Sequence, residues 1–187
     1  MEPSRVEKIV EEVLREKDTI NPGKANQTPL VKVTENKGTV KRVALGSDHG
    51  GFELKEAVMK YLKDSGYQVK DVGTFGPEAV DYPDFAEKVA RAVASDDCER
   101  GIMIDSIGIA SAMVANKVRG IRAAPCWDLN TARSSREHNN ANVLTLGGKV
   151  LNEALAQEIV GLWLTTPFAG GRHWPRVNKI MAVERNR

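Results

Sequence analysis

A carboxylate at the end of an apolar run is the first chemistry this chain offers. Gly101-Ile102-Met103-Ile104 reads as a short buried strand, and Asp105 follows it. Next come the small-residue turn Ser106-Ile107-Gly108-Ile109-Ala110 and a helix over Ser111 to Lys117. In open α/β sheets ligands sit outside the carboxyl ends of the strands, and helix-opening amides hold anions. Asp105 therefore reads either as an acid–base group or as the cap of the next helix. A second loop of this kind is Gly46-Ser47-Asp48-His49-Gly50-Gly51. Its glycines allow close backbone approach to a ligand, although their spacing is not that of the dinucleotide fingerprint. Asp48 reads as a ligand contact or as a helix cap.

Three histidines, His49, His138 and His173, each stand beside polar or glycine residues at a predicted element end. His138, within Arg136-Glu137-His138-Asn139-Asn140, closes a predicted helix. An imidazole there can exchange protons near neutral pH, or serve as a cation at the helix C-terminus. No histidine pair has helical ligand spacing, so no metal is expected. Arg172 and Arg176 follow the pair Gly170-Gly171. If Arg172 opens the last helix, the two guanidiniums share one side and suit a phosphate or carboxylate.

The elements that must position these residues form a repeating strand–helix pattern. Strands are expected at Arg42–Leu45, Gln68–Val72, Gly101–Ile104, Ile121–Ala124 and Val143–Leu146. Helices are expected near Phe52–Ser65, Phe85–Ala94, Ser111–Lys117, Asn130–His138, Leu151–Leu164 and Val177–Glu184. Alternation of this sort argues a parallel sheet covered on both faces, an α/β fold. The 27 basic and 25 acidic residues nearly cancel, to +2, which gives no electrostatic case for nucleic acid as a partner. Hydrophobic residues at 41% fit a folded globular chain. No run is apolar enough to span a membrane, and the N-terminus lacks the apolar segment of a secretion signal. Cys98 and Cys126 make neither a disulfide framework nor a metal motif. A cytoplasmic protein with no membrane partner is expected, and Cys126 reads as a small buried residue.

Five motifs in order carry a family resemblance. They are Gly46-Ser47-Asp48-His49-Gly50-Gly51-Phe52-Glu53-Leu54-Lys55, Asp81-Tyr82-Pro83-Asp84, Ala115-Asn116-Lys117, Arg136-Glu137-His138-Asn139 through Leu144, and Gly170-Gly171-Arg172-His173 with Arg176. Across Val40 to Arg185 the chain resembles the type B ribose-5-phosphate isomerases and the related galactose-6-phosphate isomerase subunits. The resemblance implies a Rossmann-like three-layer α/β/α sandwich on a five-stranded, mostly parallel sheet. It implies aldose–ketose isomerisation of a sugar phosphate with no metal or cofactor. It also implies a homodimer or homotetramer whose active sites are shared between chains.

By position, the resemblance makes His138 the group that opens the sugar ring. It makes Asp48 and His49 substrate contacts, and Arg172 and Arg176 phosphate ligands with Asn139 and Lys149 nearby. Tyr82 is expected near the sugar. The backbone of Ser106, Ile107, Gly108, Ile109 and Ala110 is expected to stabilise the enediolate oxygen. Asp105 stands where many of these enzymes carry a catalytic cysteine, and Ser111 where another branch carries a glutamate. Ile107 replaces a threonine or serine, Ala110 a glycine, and Lys149 an arginine. An Asp followed by a small residue is similar to one galactose-6-phosphate isomerase subunit. Two expectations follow. In one, Asp105 is the base, with Ile104 and Ile107 desolvating it. In the other, the chain is a catalytically silent or partner subunit that binds sugar phosphate.

Residues 1–39 lie outside this resemblance. Ser4-Arg5-Val6-Glu7 is a capping-box pattern. Val6, Ile9, Val10, Val13 and Leu14 then fall on one helical face, with charged residues on the rest. An amphipathic helix over 1–17 and a Pro/Gly-containing linker over 18–39 are expected ahead of the domain at 40–187. The arrangement resembles the encapsulation peptides that bring enzymes into bacterial microcompartments, which implies a shell protein as partner of residues 1–17. The alternative is a helix that docks on the enzyme's own oligomer.

Overall fold

The structure, a computed structural model, describes residues 40–185. The helix expected over 1–17 and the linker expected over 18–39 fall outside the described residues. Five strands form one sheet: β1 (Arg42–Ser47), β2 (Gln68–Asp71), β3 (Arg100–Asp105), β4 (Ala123–Pro125) and β5 (Val143–Gly147). Among the described residues there are six helices, α1 (Phe52–Asp64), α2 (Tyr82–Ala94), α3 (Ile109–Ala115), α4 (Leu129–Glu137), α5 (Glu153–Thr165) and α6 (Trp174–Arg185), of which α1 to α5 cover the sheet. Short 3-10 turns at His49–Gly51 and Gly171–His173 lead into α1 and α6.

The strand order is β2-β1-β3-β5-β4, and every pairing is parallel. Side chains alternate across the strands. Val43, Leu45, Ile102, Ile104, Leu144 and Leu146 face one core, shared with Leu54, Val58 and Leu62 of α1, Ala132 of α4 and Ile159 and Trp163 of α5. Ala44, Met103 and Val143 face the other, with Ala86, Val89, Ala90 and Val93 of α2 and Ala115 of α3. The result is the three-layer sandwich the resemblance implied. The chain leaves β1 for β2 on one side and later returns to β3 on the other. The carboxyl ends of β1 and β3 therefore flank the topological switch point, where open sheets bind ligands.

Several element bounds differ from the sequence expectation, each for a local reason. α2 begins at Tyr82, because Pro83 fits a first helical turn, where no amide donor is needed. β4 is Ala123–Pro125 rather than Ile121–Ala124. Ile121 packs into the core beside α2 and α3, and the Arg122 amide donates to Asn142 Oδ1. α6 begins at Trp174, so Arg172 lies in the preceding 3-10 turn and does not open the helix.

Candidate active site

Asp105 ends β3 with its carboxylate turned into its own loop. Oδ1 accepts from the amides of Ile107, at 2.7 Å, and Gly108. Oδ2 accepts from the Ser111 amide at 3.0 Å and from the Ser111 hydroxyl at 2.5 Å. The chain can wrap the carboxylate this closely because Gly108 takes φ +92° and packs against the backbone of Leu146. Two expectations are corrected here. Ile107 does not shield the carboxylate, since its side chain is exposed. The amides of Ile107 and Gly108 are bound to Asp105, so they are not available to an enediolate oxygen. Those of Ile109 and Ala110 lie in the first turn of α3, where no intrahelical acceptor exists.

Asp48 stands beside this loop at the end of β1. Its amide donates to Ile104 O at 3.2 Å, and its Oδ1 accepts from Gly51 at 3.0 Å. The contact is tight: a Cβ on Gly51 would lie 2.2 Å from Ile104 O. Burial pushes the Asp48 carboxyl above its ordinary value, and the Asp105 carboxylate adds to this, against opposing hydrogen bonds from Gly51 and Gly50 and the charge of His49. His49 is exposed, its Nδ1 3.2 Å from both the carbonyl and the amide of Val80. Lys149 is exposed and joins the same group through its backbone, its amide donating to Ser106 O at 3.0 Å. The indole of Trp127, which the sequence reading passed over, donates to Ile107 O at 3.0 Å and ties the loop to the start of α4.

His138 belongs to a second group. It caps the C-terminus of α4, as expected, and its amide donates to Ser134 O. Arg136 anchors that helix end, donating to Thr166 O, Asn140 Oδ1 and Ala141 O. Burial pushes the Arg136 guanidinium down to about 9, with the charges of Arg100 and Arg122 acting the same way. The ring of His138 stacks on that of His173, with centroids 4.5 Å apart and planes 16° from parallel. Arg172 and Arg176 are exposed, and their charges bear on His173. Burial pushes the His173 imidazole below its ordinary value, and His138, Arg172 and Arg176 act in the same direction, opposed by Glu137.

The expected site residues thus form two groups. Asp48, His49, Asp105 to Ser111 and Lys149 surround the switch point. His138, Arg172 and Arg176 gather with His173 at the end of α4 and the start of α6. Among the described residues, no hydrogen bond or ion pair joins the groups. Two further expected residues have surroundings of their own. Asn139 lines a groove of about 640 Å3 with Arg122, Ile180 and Met181, beside the edge strand β4. Tyr82 is half-buried against the core of α2 and α3. Cys126 is fully buried, and burial pushes its thiol up to about 11, in keeping with a packing role.

Known proteins resemble this chain along nearly their whole length. The sequence model of the family described as Ribose/Galactose Isomerase matches residues 43–180. Ribose-5-phosphate isomerase B of Escherichia coli is 43% identical over 148 residues, which cover 79% of this chain and 99% of that protein. D-erythrulose-4-phosphate isomerase of Pectobacterium atrosepticum is 41% identical over 140 residues, covering 74% and 91% of the two chains. The solved structure of ribose-5-phosphate isomerase B from Clostridium thermocellum is 52% identical, with a TM-score of 0.77 over 78% of this chain and 98% of that one. The chain belongs to the ribose/galactose isomerase family.

Proposed function

We propose that the chain interconverts the aldose and ketose forms of a sugar phosphate, the ribose-5-phosphate and ribulose-5-phosphate pair or a related one. A base takes the proton from C2 of the open-chain aldose, an enediolate forms, and the proton is returned to C1. The hydroxyl proton on O2 passes to O1, so atoms and charge balance. The observation that carries this reading is the pair Asp48 and Asp105, side by side at the switch point of a sheet in this family. Neighbouring carboxylates in unlike surroundings are the usual equipment for acid–base work. Related proteins are named as isomerases of ribose-5-phosphate and of erythrulose-4-phosphate. A silent subunit finds no support among them.

Asp105 is the base in this reading. Three of its four hydrogen bonds come from backbone amides and are fixed, whereas the fourth comes from the Ser111 hydroxyl. A hydroxyl that rotates toward substrate frees one lone pair on Oδ2. His138 opens the ring, the amides of Ile109 and Ala110 face the developing oxyanion, and Arg172 and Arg176 hold the phosphate. Asp48 and His49 contact the sugar.

In this reading a second copy supplies the second group of residues, as in the shared sites that the resemblance implies. The test is an isomerisation assay on four- to six-carbon aldose and ketose phosphates, with Asp105→Asn and His138→Asn each alone and then mixed. Each variant alone is expected to be inactive, and the mixture to regain part of the wild-type rate. Absence of turnover on any sugar phosphate by wild type overturns the activity. Full activity of Asp105→Asn overturns the base. For residues 1–17 the reading is attachment to a microcompartment shell protein through the apolar stripe. Deleting residues 1–38 is expected to leave activity intact and to abolish co-sedimentation with shell protein; a truncated chain that fails to fold points to docking on the enzyme instead.

A further inference from the structure

We propose that His173 is the positioning residue of His138; this rests on the ring-opening role given to His138 above. His138 is exposed at a helix end, and an exposed imidazole there would turn freely about two side-chain bonds. Here both rotations meet a constraint. The Ser134 hydroxyl lies 3.2 Å from Nδ1, which engages that nitrogen and leaves Nε2 as the one outside this contact. The face of the ring lies on His173, 4.5 Å between centroids and 16° from parallel. His173 itself is only 8% exposed, so it is the fixed partner of the two.

The stack is built in from both sides by the backbone. Ala169 donates to Glu137 O at 3.0 Å and Arg136 Nε to Thr166 O at 3.3 Å, so the end of α4 is tied to the segment that leads into the 3-10 turn. Within that turn the His173 amide donates to Gly170 O at 2.9 Å. The same turn carries Arg172, and α6 carries Arg176. The residue that orients the imidazole is thus attached to the pair proposed to hold the phosphate. Burial, His138, Arg172 and Arg176 all disfavour a proton on His173, and Glu137 alone opposes them. A neutral ring can remain stacked while His138 carries a proton, because the pair then holds a single charge. Holding a reacting group in its productive orientation is worth one to two orders of magnitude in rate.

Three variants test this with the full chain. His173→Ala removes the ring, His173→Phe keeps a flat ring without nitrogens, and Ser134→Ala removes the Nδ1 partner. On the best sugar phosphate, His173→Ala is expected to lower kcat about tenfold or more with KM within about threefold. His173→Phe is expected to recover most of that loss. In parallel, imidazole nitrogen spectra of the free protein report the environment of His138 Nδ1. Its signal is expected to be alike in wild type and His173→Phe and to shift in Ser134→Ala, which removes the hydroxyl beside it. Ring relaxation is expected to show a fixed His138 in wild type and a freely turning one in His173→Ala. Equal kcat for wild type and His173→Ala, a loss confined to KM, or His173→Phe as slow as His173→Ala each overturns the proposal. If wild type turns over no sugar phosphate, the proposed activity fails by itself. The spectra still decide the positioning: a His138 ring equally mobile in wild type and His173→Ala overturns it. Should His173→Ala fail to fold, the wild-type and His173→Phe spectra and rates carry the comparison.

Discussion

The hydroxyl of Ser111 donates to Oδ2 of Asp105 across 2.5 Å and completes the set of four hydrogen bonds that fill the carboxylate. A carboxylate with two lone pairs per oxygen has no capacity left once four donors are in place. Asp105 is thus the anchor of its loop, and Ser111 is the one donor that can withdraw without moving the backbone.

Substitution should separate these roles. Asp105→Asn is expected to lower kcat by about 100-fold or more, the usual contribution of a general base. It should also lower stability by about 1–3 kcal/mol, because the amide nitrogen cannot accept from the loop. Ser111→Ala should cost much less activity, since one lone pair of Oδ2 is then free while the residue-111 amide still holds the other. Steady-state kinetics beside urea unfolding measures both. A Ser111→Ala enzyme as impaired as Asp105→Asn would mean that the hydroxyl is not a dispensable partner.

The raised pKa of Asp48 makes a signed prediction about pH. A carboxyl that binds its proton more tightly in the folded state stabilises the fold most in acid. That stability falls as pH rises from the unfolded value, ordinarily 3.8, through the higher folded value, and it stays lost above. Asp48→Asn keeps the acceptor for Gly51 and removes the titration. The variant should therefore gain stability relative to wild type as pH rises through this window. Urea midpoints from about pH 3 to about pH 7 read the difference. A constant difference across that range would contradict the assignment.

Removing one guanidinium should act on binding. Arg172→Ala and Arg176→Ala are each expected to raise KM about 10- to 100-fold, the worth of one hydrogen bond to a charged group. Thermal midpoints should stay near wild type, because both side chains are exposed. Inorganic phosphate, as a competitive inhibitor, should weaken in parallel.

Lys55 gives a prediction about the scaffold. Its side chain is fully buried, with Nζ 2.8 Å from Asp71 Oδ2 and 2.7 Å from Thr74 O. This ammonium joins α1 to the end of β2 and the loop after it. Lys55→Met should lower stability by about 2–4 kcal/mol, because the Asp71 carboxylate and a buried carbonyl lose their donor. A shift in the urea midpoint at unchanged slope measures it.

Much of the architecture was legible in sequence. Apolar runs such as Val43 to Leu45 and Ile102 to Ile104 can only be satisfied between two helical layers. The strand–loop–helix order then places Asp48 and Asp105 at one edge of the sheet. Boundaries were less legible. Pro83 and Pro175 each fall within a first helical turn, and periodicity alone places the start later than the structure does. An anion-binding role for Arg172 and Arg176 was suggested by their spacing, but the spacing assumed one helix, and Arg172 stands in the turn before it. Their gathering around His138 was not legible, nor was His173, whose neighbours Gly171 and Arg172 gave no sign of a stack on the ring that caps α4.

The residue types and their order thus determined a parallel α/β sheet, a carboxylate just past β1 and another at the end of β3, and an arginine pair beside glycines. These follow from hydrophobic period and chain connectivity, which are local. Tertiary structure alone decided that the lone pairs of Asp105 are taken by its own loop. That outcome depends on the path through Gly108, whose positive φ bends three amides toward one carboxylate. It also decided that His138 lies flat on His173, because a contact between rings on separate elements is set by how α4 and the turn before α6 are tied together. Hydrogen-bond capacity and ring orientation are properties of the packed chain, so the sequence places Asp105 and His138 but not the donors and the ring that hold them.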